Sequence, residues 1–183
     1  MMVMVSMAGG QQQAKTITLI QGRTCMANGK YGKYIVSHPR VETLAYHPMS
    51  NVKGVTFPDE IYLDDRMVKG SPVVVDIGWR FRVPEPDPVE WTHKHDFDEV
   101  LCFIGTNPDR PHDLGGEIEF TIGDEKHTFD TTTTIFVPAG TPHCPIIHRR
   151  VDRPFILAVF ALGKEYPSAV EDARKNPERY RAS

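Results

Sequence analysis

The chain has 183 residues, of which 40% are hydrophobic and 25% charged, and a formal net charge of −3. That length suffices for one domain with a real core, and the near-neutral charge gives no electrostatic reason to expect nucleic acid or an anionic membrane as a partner. The longest apolar runs, such as Phe155 to Leu162, are too short to cross a bilayer as a helix.

Residues 1–14, Met-rich and then Gly- and Gln-rich, carry no useful periodicity and read as a flexible arm, with a single domain over residues 15–183. Met1 to Ala8 lack the basic start and long apolar centre of a secretory signal. The three cysteines, Cys25, Cys102 and Cys144, cannot all pair within one chain, and none lies in a C-x-x-C. A reducing, cytoplasmic setting is the simplest reading.

Thr16 to Ile20 and Gly29 to Val36 are short strand candidates, the second weakened by its glycines. Val41 to Tyr46 fits a strand or a helix, and Pro48 to Gly70 reads as loop with brief extended pieces. From Ser71 to Val83 the pattern sharpens: Val73, Val75, Ile77, Trp79, Phe81 and Val83 alternate with Val74, Asp76, Gly78, Arg80 and Arg82. Period two predicts a strand, with its apolar row facing a core. Arg80 and Arg82 then fall on a solvated face or, on a sharper reading, line a pocket for an acidic substrate.

Val100 to Ile104 is apolar at every position and predicts a strand buried on both faces. Glu117 to Ile122 alternates, Gly123-Asp124 supplies a two-residue turn, and Lys126 to Phe129 returns as a hairpin. Ile135 to Val137, Cys144 to Ile147 and Pro154 to Leu162 are the last predicted strands, with His148 to Arg153 as a charged turn. Ser168 and Glu171 have the spacing of a helix start, and Pro177 ends that helix. The fold class is all-β, a barrel or double-sheet jelly roll with a short C-terminal helix.

The chemistry concentrates in Trp91 to Val100, which holds His93, His95 and Glu99. On an extended chain, offsets of two and six put all three side chains on one face. Imidazole and carboxylate are good ligands for a borderline divalent metal, and a fourth is available at His143 in Pro138-Ala-Gly-Thr-Pro-His143. Gly140 allows a tight bend that aims His143 back towards the first stretch. Cys144, next to a ligand, reads as a buried structural thiol. Trp91 reads as core or barrel mouth, and His148, five residues past His143, as an ordinary histidine or a proton carrier behind the ligands; on a sharper reading both are substrate-binding residues.

These two stretches resemble the two motifs of the cupin superfamily, H-x-H-x(3,4)-E followed by Gly, and P-x-G-x-x-H. The order is right, a Gly-turned hairpin lies between them, and the resemblance covers about residues 72–162. The chain departs from the family pattern at Asp87, Thr132 and Ile147, and its first-motif glycine comes one residue early, at Gly105. None of these is a ligand position.

The resemblance implies a small β-barrel holding one divalent metal (iron, manganese, zinc or nickel) on His93, His95, Glu99 and His143, and a homodimer. It also implies a small-molecule ligand, anionic if Arg80 and Arg82 face inwards. Family base rate leans towards an iron-dependent dioxygenase of a small acid or aromatic compound. A non-redox lyase, decarboxylase or isomerase is the alternative, and a non-catalytic binding barrel the third reading.

Overall fold

The structure, a computed structural model, describes residues 29–37, 53–55, 61–85 and 87–164. The candidate strand Thr16 to Ile20, the segment Val41 to Tyr46, the N-terminal arm, Cys25 and the helix after Ser168 all lie outside the described residues.

Nine strands are described: β1 (Lys53–Val55), β2 (Ile61–Leu63), β3 (Val74–Glu85), β4 (Glu99–Gly105), β5 (Asp113–Ile122), β6 (Glu125–Thr131), β7 (Thr133–Val137), β8 (His143–Val151) and β9 (Phe155–Ala161). All pairings between these strands are antiparallel. One sheet runs β1-β3-β9-β4-β7, with β2 also on β3; the other runs β6-β5-β8. The hairpin forms where predicted: Ile122 pairs with Glu125 across Gly123-Asp124, and Gly123 takes a φ of 61°. Gly29 to Val36 is not a strand. Its glycines turn the chain into a short 3-10 segment at Gly32–Tyr34, and Val36 alone makes a β-bridge.

The two sheets close on each other through Leu101, Phe103, Val137, Phe155 and Leu157 from the large sheet and Leu114, Ile118, Phe120 and Ile146 from the small one. Phe103 and Phe155 are fully buried, and each contributes roughly 2–3 kcal/mol of burial. Gly105 joins β4 to this wall. A Cβ there would lie 2.1 Å from the Asp113 carbonyl oxygen, so the close passage of the two backbones requires glycine.

The faces of β3 are the reverse of the sequence expectation. Val74, Asp76 and Arg80 line the interior, while Phe81, on the apolar row, is 51% exposed. Alternation reports that two faces differ, not which one meets the second sheet. Here the inward row accepts polar residues because it borders a cavity rather than dry core. β4 likewise is not buried on both faces: Glu99, Leu101 and Phe103 point in, and Ile104 on the other row is 40% exposed. The charged turn after β8 is shorter than expected. The strand continues to Val151, which carries His148 onto the inner wall opposite Ile118.

Candidate metal centre

His93 and His95 do not sit on a regular strand, so their convergence owes nothing to strand alternation. The chain bends repeatedly between Trp91 and Asp98, and His93 is held by an isolated antiparallel bridge to His143. His93 N–H donates to the His143 carbonyl at 3.0 Å, and His143 N–H donates back to the His93 carbonyl at 2.9 Å. The Pro138–Thr141 turn is tied to the same stretch. Gly140, at φ 78°, donates its N–H to the His95 carbonyl at 2.7 Å, and the Ala139 N–H donates to Asp98 Oδ1 at 2.8 Å. The bend expected at Gly140 is therefore present and is clamped onto the first motif. Glu99 and His143 each open a strand, so the cluster lies at one end of both sheets.

The rings are oriented by their own backbone. His93 Nδ1 lies 2.8 Å from the Trp91 carbonyl, His95 Nδ1 2.6 Å from the Phe97 carbonyl, and His143 Nδ1 2.9 Å from the Thr141 carbonyl. A carbonyl only accepts, so each Nδ1 carries the proton and each neutral ring keeps its lone pair on Nε2. Phe97 stacks on His95 with ring centroids 4.0 Å apart. One ligand atom from each of His93, His95 and His143 lies within 4.8 Å of the others.

Glu99, 1% exposed, completes the group, with Oε2 3.2 Å from His143 Nε2 and 3.7 Å from His95 Nε2. This is the observation that tests the fit of a cation. A lone pair on His143 Nε2 faces a carboxylate oxygen inside the protein, and two acceptors repel unless a proton or metal ion sits between them. The same contact favours a proton on the ring: burial lowers the His143 pKa, but the Glu99 carboxylate and the Thr141 carbonyl outweigh it and leave the pKa raised. Three imidazoles and one carboxylate are a donor set that suits a divalent transition metal, so the residues fit the group.

The cluster borders a cavity of about 60 Å³, room for a handful of water-sized groups. Glu99, Leu101, Val159, Arg80, Glu90 and His148 are on its wall. Arg80 is one of the wall residues, and Arg82 is not among them. Pairing of β3 with β9 ends at Arg80–Phe155, and Arg82, beyond that point, is exposed. Trp91 is half-buried, and its carbonyl accepts from His93 Nδ1. Lys94 is exposed, as are His112 and His127.

Cys144 is 1% exposed and belongs to the core cluster. Burial pushes its thiol pKa well up, with the charges of Glu90 and Glu99 adding to the effect. Two residues escaped sequence reasoning. Glu90 reaches the cavity and, with His93 and Cys144, forms a second close group. Asp87 accepts two hydrogen bonds from His148, one from its backbone N–H at 2.8 Å and one from Nδ1 at 2.9 Å. The signal for Asp87 was present as a departure, a carboxylate where the motif has glycine.

No family model and no curated protein matches the chain. Among solved structures it is similar to a cupin protein from Bacteroides fragilis, at 17% identity and TM-score 0.37 over 58% of this chain and 78% of that one. It is similar to an RmlC-like cupin from Shewanella frigidimarina, at 12% identity and TM-score 0.34 over 51% and 69%. A mutant of Bacillus subtilis oxalate decarboxylase aligns at 12% identity and TM-score 0.41 over 58% of this chain, which spans only 26% of the decarboxylase. At such scores the likeness carries no argument of its own, and the assignment rests on what the molecule shows. Two antiparallel sheets close on one core, a hairpin separates the two stretches, and His93, His95, Glu99 and His143 meet at one end of the sheets; the chain is an all-β double-sheet jelly roll.

Proposed function

We propose that the protein is a metal-dependent enzyme acting on a small, oxygen-rich organic acid. The observation that carries this reading is a four-donor cluster whose Glu99 forms part of the wall of a cavity that also holds Arg80. Four protein donors leave one or two positions open on a five- or six-coordinate ion, which is what a catalytic metal needs. A bound divalent ion would supply Lewis-acid polarisation or, if iron, dioxygen activation. The chain's own residues do the rest. Arg80 offers a fixed positive charge for a carboxylate, and Leu101, Leu157 and Val159 supply apolar wall to the same cavity.

The donor set serves both the iron-dependent dioxygenase and the non-redox lyase, decarboxylase or isomerase, because a fold does not choose its reaction. Metal analysis of the purified full chain, followed by oxygen uptake with catechols, keto acids and thiols, separates them. Iron with oxygen consumption selects the dioxygenase; zinc or manganese with carboxylate turnover and no oxygen uptake selects the non-redox class. A protein that holds metal yet consumes no oxygen and leaves every carboxylate intact is a binding barrel.

A further inference from the structure

The cavity wall carries a second piece of chemical equipment, away from the four metal donors. His148 on β8 is 3% exposed. The His148 backbone N–H fixes the Asp87 carboxylate, whose other oxygen holds the ring at Nδ1, so the ring cannot rotate without breaking that second contact. A carboxylate accepts, so Nδ1 is the protonated nitrogen of the neutral ring and Nε2 carries the lone pair. Nε2 is buried and makes no hydrogen bond among the described residues. A buried ring nitrogen whose lone pair the surrounding protein leaves unmatched is open to a molecule in the cavity, and His148 is a residue of the cavity wall.

We propose that Asp87 and His148 form a proton-transfer pair, in which His148 Nε2 takes a proton from a small carboxylate substrate with an acidic C–H beside a carbonyl, and Asp87 positions the ring. The proposal rests on the metal-dependent reading above and narrows its substrate to a 2-oxo acid or a compound of that acidity. In the step, the C–H bond breaks and its electron pair becomes the carbon–carbon double bond of an enolate. The carbonyl π pair moves to oxygen. The proton forms a new N–H bond at Nε2, and the resulting imidazolium is balanced by Asp87. Return of the proton to the same or the neighbouring carbon restores the neutral ring, so no oxidant or reductant is consumed. Arg80 across the cavity suits the carboxylate end of such a molecule.

The surroundings keep His148 in the basic form. Burial lowers its pKa most, Asp87 raises it, and the Arg80 charge lowers it, with a net depression. The charged groups on the same cavity wall are Arg80 and Asp76 from β3, Glu90 from the loop and Glu99 from β4. β5 and β9 meet the ring with Ile118 and Phe155, which are uncharged.

The test uses the full chain loaded with manganese or zinc, incubated in D₂O with pyruvate, 2-oxobutyrate and 2-oxoglutarate, with deuterium incorporation read by mass spectrometry. At least one acid is expected to exchange roughly 100-fold or more above the protein-free rate, and His148→Gln to lose that acceleration while keeping its metal. Asp87→Asn, which removes the charge that raises the His148 pKa, should move the acid limb of the exchange profile to lower pH, a shift a merely structural role would not produce. Nitrogen-15 spectra of the unmutated protein should show His148 neutral at pH 7 with its proton on Nδ1. The pair is ruled out if no acid exchanges, if His148→Gln exchanges as fast, or if Nε2 carries the proton. Calorimetric metal binding is followed in parallel: loss of metal from the unmutated chain fails the metal-dependent reading, whereas intact metal binding without exchange fails only the proton-transfer pair.

Discussion

His93 and His143 face each other across an isolated bridge and exchange both of their backbone hydrogen bonds. The two motifs are thus joined by main chain before any side chain is considered. Truncating either ring leaves the bridge in place and removes only a donor. His93→Ala and His143→Ala should therefore keep the fold by circular dichroism and lose metal affinity. Removing a partner behind a ligand costs 10–100-fold, so removing the ligand itself should cost roughly 100-fold or more. Equilibrium dialysis measures this, and full retention in either variant would sink the four-donor site.

The ligand identities were legible because side-chain chemistry and spacing are written in the sequence: two imidazoles, a carboxylate, and a histidine after a Gly-bearing turn. How they meet was not legible. The alternation argument placed His93, His95 and Glu99 on a strand face, whereas bends and carbonyl anchors from Trp91, Phe97 and Thr141 do the orienting. The inward face of β3 was missed for a related reason, since the period of a strand carries no information about where the other sheet lies. His148 was undervalued because the charged residues after it suggested a turn, when β8 in fact carries it to the wall.

Arg80 and Arg82 provide a direct test of that face assignment. Arg80 lines the cavity and Arg82 is exposed beyond the end of the β3–β9 pairing. Arg80→Ala should weaken binding of a small carboxylate such as oxalate or pyruvate by roughly 10- to 100-fold, the range for losing one charge-assisted hydrogen bond of about 1.5–3 kcal/mol. Arg82→Ala should leave binding unchanged. Titration calorimetry on the metal-loaded protein checks both, and equal effects would mean that the binding site extends past the end of the β3–β9 pairing to Arg82.

The His148 environment also predicts a pH dependence of stability. Its folded pKa is lowered, chiefly by burial, from the ordinary histidine value of 6.5, so protons bind the unfolded chain more readily than the folded one. The sign follows: this contribution is fully present above about 6.5, falls as pH drops below it, and levels off once pH passes below the lowered folded value. The slope from this one group is at most about 1.4 kcal/mol per pH unit. Urea unfolding of the metal-free protein between pH 7.5 and 5 should show the decline, and His148→Gln should flatten it. An identical decline in the variant would assign the effect to other groups.

The last prediction concerns the outer face of the large sheet. Val75, Ile77 and Trp79 of β3, Ile156 and Phe160 of β9, and Val100, Cys102 and Ile104 of β4 lie side by side in register, with Phe136 of β7 at the edge and Phe81 continuing the β3 row past the end of the pairing. Phe81 is 51% exposed and Phe136 55%. No charged side chain interrupts these rows, so a second copy of the same patch could cover it without opposing like charges, as a two-fold interface requires. The homodimer expected from the sequence is predicted to form here. Light scattering should give twice the mass of the 20.7 kDa chain, and Phe136→Asp combined with Ile104→Asp, which points two carboxylates out of the same patch, should give a monomer with the same circular dichroism. A monomeric unmutated protein, or a double variant that stays dimeric, would remove this face from consideration.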